Sequence, residues 1–210
     1  MGFLADKGRA RRFYRFLSPI YDTINPFIWN EAMRAESLEL FDIDADDRVL
    51  DVGCGTGFGT EGLLEHVDDV HGLDQSTHQL SRAKRKLGDQ VELYRGDAER
   101  LPFEDDSFDA IWSSGSIEYW PDPVATLAEF NRVGRPGAPV LVVGPNEPSL
   151  WPFRKLADAI MWFYGPDQAT EWFESAGLTD IEHVTMGPWY NRSIAIVTTA
   201  RVTESSSTST

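Results

Sequence analysis

Glycines at positions 53, 55, 57 and 59 occupy every second residue directly after a short apolar segment, Arg48–Val52. A strand that runs into such a loop can turn sharply, because glycine adopts backbone angles closed to other residues. Residues 60–66, which follow, have helical spacing. The free N–H groups at the start of that helix face whatever anionic group a ligand presents there. Two readings of the loop stay open on this evidence alone: a tight strand–helix turn, or the seat of a nucleotide-like cofactor. The dinucleotide fingerprint G-x-G-x-x-G cannot be laid on this two-residue repeat.

The rest of the chain alternates in the same way. Strands are expected at 70–73, 91–95, 108–113, 139–144, 181–185 and 194–200, and helices at 78–87, 124–133, 150–164 and 168–176. Gly134 and Pro136 stop one helix and Gly177 closes another. Basic residues fill the last turns of 78–87, where the helix dipole favours them. Alternating strands and helices predict an α/β fold: a seven-stranded, mostly parallel sheet with helices on both faces. Upstream, residues 9–40 read as two helices broken near Ser18-Pro19 and Asn25-Pro26. The expected organisation is an N-terminal helical lid over residues 1–44, a main domain over 45–202 and a disordered Ser/Thr-rich tail over 203–210.

Ligands of such sheets bind at the C-terminal ends of the strands. Acids stand there in register. Asp51 ends the first strand, Asp74 the second, and Gly96-Asp97-Ala98 follows the third. A lone Asp after a strand is most often a turn former. Three in register are hard to attribute to turns. Asp74 is placed to accept from both hydroxyls of a ribose, and Asp97 to accept from an adenine amino group.

Charge narrows the partners. The net charge is −15, with 34 Asp and Glu against 19 Lys and Arg. Such a surface repels nucleic acid. Acid excess with only 4 Lys is also what a cytosol of very high salt selects, so a halophilic origin is expected. Residues 1–30 run against this trend, with Lys7, Arg9, Arg11, Arg12 and Arg15 opposed only by Asp6 and Asp22. Cys54 is the single cysteine, so neither an intrachain disulfide nor a Cys-rich zinc site can form; in the glycine loop it reads as a small filler, not a nucleophile. No metal site is expected. No run reaches the roughly 18 apolar residues of a membrane span, and the first residues lack the apolar core of a signal peptide. The expected location is cytoplasmic.

With the loop and its acids in hand, the chain resembles the class I methyltransferases that use S-adenosyl-L-methionine, over about residues 45–145. Residues 49–57 look like the first motif of that family, Asp74 like its ribose-binding acid and Asp97 like its adenine-contacting acid. The resemblance implies a Rossmann-like fold. It implies cofactor contacts from Asp51, Gly53, Gly55, Gly57, Asp74, Gln75, Asp97, Ala98, Ser114 and Tyr21, with Asp51 and the glycines near the methionine moiety and Ser114-Gly115 beside the sulfonium.

Aromatic segments flank the strand ends at 13–22, 113–123, 145–151 and 187–190. Aromatics on loops beside an active site are less easily assigned to core than those on a helix. With Asn25-Pro26, Trp29, Met33-Arg34, Asp74-Gln75-Ser76, His78-Gln79-Leu80, Gly96-Asp97-Ala98-Glu99, Gly144-Pro145, Glu171-Trp172-Phe173 and Gly187-Pro188, they resemble the plastid-type methyltransferases that act on a prenylated benzoquinol. The menaquinone and ubiquinone methyltransferases share the Tyr21-Asp22 element. The resemblance implies C-methylation of a quinol, with Glu118, Tyr119, Asp22 and His78 as candidates for handling the phenol proton; Glu118 and Tyr119, beside the expected sulfonium, are favoured. It also implies a lipid substrate, which the basic, aromatic stretch 9–17 could meet by resting on an anionic membrane surface. A different phenol, amine or lipid acceptor, a nicotinamide-dependent reductase, and a non-catalytic cofactor-binding module remain as alternatives.

Overall fold

The computed structural model describes residues 29–146, 164–188 and 191–203. The strands are β1 (Arg48–Val52), β2 (Asp69–Asp74), β3 (Glu92–Arg95), β4 (Ala110–Ser114), β5 (Pro139–Pro145), β6 (Thr179–Met186) and β7 (Ala195–Arg201). They form one sheet in the order β3-β2-β1-β4-β5-β7-β6. β1 to β5 pair in parallel, and β7 runs antiparallel to both β5 and β6. The chain reverses direction along the sheet at β1 and β4: β2 and β3 lie to one side, β4 and β5 to the other. That switch point is where open α/β sheets bind ligands.

The helices are α1 (Glu31–Leu38), α2 (Phe58–Leu63), α3 (Thr77–Leu87), α4 (Pro123–Val133) and α5 (Pro166–Ser175), with a single 3-10 turn at Ile117–Tyr119. Their starts follow local chemistry. Asn30, Ser76 and Asp122 cap α1, α3 and α4 by accepting from the N–H three residues on. Pro123 and Pro166 occupy first-turn positions that need no donor.

The central strands are buried on both faces, and their alternation divides the core in two. Leu50, Val52, Ile111, Val140 and Val142 join Leu127, Phe130 and Phe173 on the α4/α5 face. Val49, Trp112, Leu141 and Val143 join Met33, Leu63 and Leu87 on the α1/α2/α3 face. Among the described residues no helix is long and apolar enough to cross a membrane.

Several boundaries differ from the sequence expectation. The helix after the glycine loop begins at Phe58, not 60, because Gly57 at φ 83° already turns the chain into it. It ends at Leu63, not 66, where the His66 N–H bonds to the Leu63 carbonyl and tightens the last turn. β4 starts at Ala110, not 108, because the Phe108 N–H bonds to Val133 at the end of α4. β6 is longer than 181–185; as an exposed edge strand it shows no apolar run, and it is irregular near Asp180. Most of the helix expected over 150–164 lies outside the described residues, but Tyr164 itself is extended and bridges Asn146.

Candidate active site

The glycine loop is held to β2 by backbone hydrogen bonds. The Gly53 and Cys54 N–H groups both donate to the Leu73 carbonyl, at 2.7 and 3.1 Å. Gly53, Gly55 and Gly57 all have positive φ. Gly53 is also sterically obligatory: a Cβ there would lie 2.5 Å from the Ser116 Cβ. Gly59 admits a second close approach. A Cβ on it would meet Trp112 Nε1 at 2.8 Å, Ser114 Oγ at 3.1 Å and Asp51 Oδ2 at 3.3 Å. Asp51, Trp112 and Ser114 therefore converge on one point above the ends of β1 and β4.

Asp51 is 1% exposed and accepts a 2.6 Å bond from the Thr60 hydroxyl. Burial pushes its carboxyl up to about 7; the Thr60 bond opposes this and the neighbouring Asp74 charge adds to it. Asp74 accepts from the Gly55 N–H on one oxygen (3.0 Å) and from the Ser76 N–H on the other (2.8 Å). Burial raises its pKa as well, against those two bonds. Each oxygen keeps a lone pair for a further donor. Gln75 is exposed at the bend after β2. Asp97 is exposed two residues past β3, in a turn where its carboxylate accepts from the Glu99 N–H at 3.2 Å; Ala98 is half-buried beside it. The Gly96 N–H bonds to the Asp74 carbonyl, which ties that turn to the end of β2.

Cys54 is buried, and desolvation, with the charges of Asp51 and Asp74, pushes its thiol well up. It stays protonated, and its sulfur packs over Gly72. That is the filler role its position suggested.

After β4 the chain turns at Gly115, whose N–H bonds to the Val143 carbonyl. The Ser113 hydroxyl donates to the Val52 carbonyl (2.8 Å) and pairs with Ser116 Oγ (2.6 Å), so the 3-10 turn is clamped to β1. Glu118 on that turn is 5% exposed, and Tyr119 is half-buried, its phenol pKa raised by desolvation. His78 is exposed on the first turn of α3, after β2; β1 separates it from the turn that carries Glu118. Tyr21 and Asp22 lie outside the described residues.

Comparison with known proteins decides the family. The methyltransferase-domain family matches residues 50–142. The 2-methyl-6-phytyl-1,4-hydroquinone methyltransferase 1 of rice (Oryza sativa subsp. japonica) is 44% identical over 194 residues, covering 90% of this chain and 59% of that one. The demethylmenaquinone methyltransferase of Bacillus cytotoxicus is 34% identical over 158 residues, covering 70% of this chain and 67% of that one. The chain belongs to the class I methyltransferases. In fold it is similar to phosphoethanolamine N-methyltransferase 2 of Haemonchus contortus in complex with S-adenosyl-L-methionine, with a TM-score of 0.73 at 21% identity over 92% of this chain and 60% of that one.

A class I methyltransferase takes its methyl group from S-adenosyl-L-methionine. S-adenosylmethionine carries an ammonium and a sulfonium, a ribose diol and an adenine. A buried carboxyl with a raised pKa is suited to a cation, the free lone pairs of Asp74 to a diol, and the glycine surface to close approach of a ligand.

Sequence reasoning missed several residues here. Thr60 passed as an ordinary helix residue, though a hydroxyl nine positions after Asp51 can reach back across the loop only because the loop is short. Trp112 carried no signal, because β4 reads as a plain apolar strand, and Ser116 stood out only as part of the segment 113–123. Arg34 was noted only as a motif match. It is 7% exposed, bonds to the Phe58 carbonyl at 2.8 Å and to Glu61 at 3.2 Å, and stacks over Phe58, joining α1 to the first turn of α2.

Proposed function

We propose that this methyltransferase transfers a methyl group from S-adenosyl-L-methionine to a ring carbon of a prenylated quinol, of the benzoquinol or demethylmenaquinol type. The observation that carries the reading is the reach of the similarity. Identity to the rice hydroquinone methyltransferase runs over 194 residues, far beyond the 50–142 stretch of the shared domain. It therefore takes in the segments that would face the acceptor. The chain spans 59% of that relative's length.

When bound, the donor supplies an electrophilic methyl group. Asp51 and Gly53, Gly55 and Gly57 would hold its methionine end, Asp74 and Gln75 the ribose, Asp97 and Ala98 the adenine, and Ser114 and Tyr21 the region of the sulfonium. The chain's own work is to hold the quinol in line and to move one proton. Glu118 takes the proton of the quinol hydroxyl, which places negative charge on the ring carbon that accepts the methyl. That carbon bonds the methyl as the sulfonium–methyl bond breaks to leave a neutral thioether. It then loses its own hydrogen as a proton to solvent, the ring regains aromaticity, and Glu118 returns its proton to the ring oxygen. Glu118 suits this because it sits buried on the turn after β4, clamped to β1 by Ser113 and Ser116. Tyr119, on the same turn and held protonated, orients the quinol oxygen.

The test is turnover with labelled donor against a panel of demethylated prenyl quinols, small phenols and amines, resolved by lipid chromatography. Methylated quinol is expected. Label only in a small phenol or amine would refute the quinol reading. Glu118→Gln should lose most turnover at unchanged donor affinity, and full turnover would refute its role.

A prenylated quinol resides in a bilayer. The basic, aromatic stretch 9–17 supports peripheral contact with the inner face of the cell membrane from a cytoplasmic position. The acid excess, with 4 Lys among 19 basic residues, supports a high-salt cytosol.

A further inference from the structure

Tyr164 follows the segment that crosses from β5 to α5. It is 2% exposed and packs on Trp172 with ring centroids 5.4 Å apart. Its hydroxyl lies over the end of β5: a Cβ on Gly144 would come within 2.5 Å of that oxygen and within 2.4 Å of Ile117 Cγ2. Glycine at 144 is what lets the phenol lie there, against the 3-10 turn. Glu118 is the residue next to Ile117, and its charge acts on Tyr164, adding to the burial that raises the phenol's pKa. The phenol is therefore a proton donor at any working pH.

Among the described residues the Tyr164 hydroxyl is buried with no hydrogen-bond partner. An orphaned buried hydroxyl opposes folding. Phenylalanine would fill the same apolar space, beside Ile117 and Trp172, without that cost. A buried hydroxyl with no partner among the described residues, at the C-terminal end of the strands and beside the proposed base, calls for a functional account.

We infer that the Tyr164 hydroxyl is a positioning group for Glu118. In the loaded enzyme it donates a hydrogen bond to the Glu118 carboxylate and holds it in the orientation that receives the quinol proton. This rests on the assignment of Glu118 above. A hydrogen bond to the ionised form also keeps the proton affinity of Glu118 down.

The experiment uses Tyr164→Phe, Glu118→Gln and the double variant in the full chain, with a short-tailed demethylated quinol as substrate. Tyr164→Phe should melt at the wild-type temperature or above and bind the methyl donor with unchanged Kd. Its kcat should fall about tenfold, and the acid limb of its pH–kcat profile should move to higher pH. The Glu118 carboxyl band, identified in infrared difference spectra by its loss in Glu118→Gln, should titrate higher in Tyr164→Phe. In the Glu118→Gln background, Tyr164→Phe should change kcat by less than about twofold. Wild-type kcat, profile and Glu118 titration in Tyr164→Phe, with Glu118→Gln impaired, would overturn the role of Tyr164 alone. An equal loss in both backgrounds would show that Tyr164 does not act through Glu118. Full turnover in Glu118→Gln would overturn the assignment on which both rest.

Discussion

The Thr60 hydroxyl donates a 2.6 Å hydrogen bond to Asp51 across the glycine loop, and the two side chains are both buried. The bond favours the ionised carboxylate but does not outweigh burial, which leaves the Asp51 pKa near 7. In the unfolded chain the pKa is about 3.9. Between about pH 4 and about pH 7 the folded protein holds a proton that the unfolded chain has released. The contribution of Asp51 to stability is therefore present at low pH and falls as pH rises, by about 1.4 kcal/mol per unit across that window. Asp51→Asn should remove this slope. Urea unfolding of the donor-free protein at a series of pH values checks it, and parallel curves for the two proteins would refute it.

The same carboxyl links donor affinity to pH. A cationic ligand group favours the carboxylate, so binding below pH 7 has to expel the proton. Affinity should rise by up to about tenfold per unit up to about pH 7 and level off above it. Calorimetry at pH 6 in buffers of different ionisation enthalpy should show release of about one proton per donor bound. Asp51→Asn should release none.

Gly59→Ala tests the close approach of α2 to the end of β4. An alanine at this helical position would ordinarily add about 1 kcal/mol through propensity. Here its Cβ would lie 2.8 Å from the Trp112 indole nitrogen, a ring locked at 0% exposure in the core. Overpacking should win, with a net loss of about 1–3 kcal/mol and weaker donor binding as Asp51 and Ser114 are displaced. Thermal melting and donor titration measure both effects. A stabilised variant with wild-type affinity would refute the crowding.

How much of this could be read in the sequence depends on how local each signal was. The strands and their order of appearance were readable because Leu50, Ile111 and Val142 sit in short apolar runs between turn residues. Asp51, Asp74 and Asp97 were readable because each closes or follows a strand. The partners that set their chemistry were not. Thr60 reaches Asp51 through a loop geometry, Trp112 meets the site by packing close to Gly59 of the facing helix, and Tyr164 lies over Gly144, 20 residues earlier. β6 was read short because an edge strand with one wet face carries no continuous apolar pattern.

Salt should act on the whole surface. With a net charge of −15, the folded chain repels itself, and that repulsion is screened within about 10 Å at 0.1 M salt and about 3 Å at 1 M. Pairs such as Arg201–Asp42 and Arg192–Glu36 are exposed and offset little of it. The melting temperature should rise steadily as salt increases to molar levels, and dialysis into low salt should unfold the protein. A melting temperature that ignored salt would remove the high-salt reading.

Membrane contact makes a prediction with the opposite salt dependence. Residues 9–17 include Arg9, Arg11, Arg12 and Arg15 with Phe13, Phe16 and Leu17. Each basic residue near an anionic bilayer contributes about 1 kcal/mol, and the apolar groups add burial that salt does not screen. The full chain should float with vesicles containing anionic lipid and less with neutral ones, and a chain lacking residues 1–17 should not float. Raising salt should weaken flotation without abolishing it, because the aromatic part survives screening. Equal flotation with and without residues 1–17 would move the contact elsewhere on the molecule. The rest of the chain carries the acidic excess, so any such site would have to hold the bilayer against repulsion and without the help of these arginines.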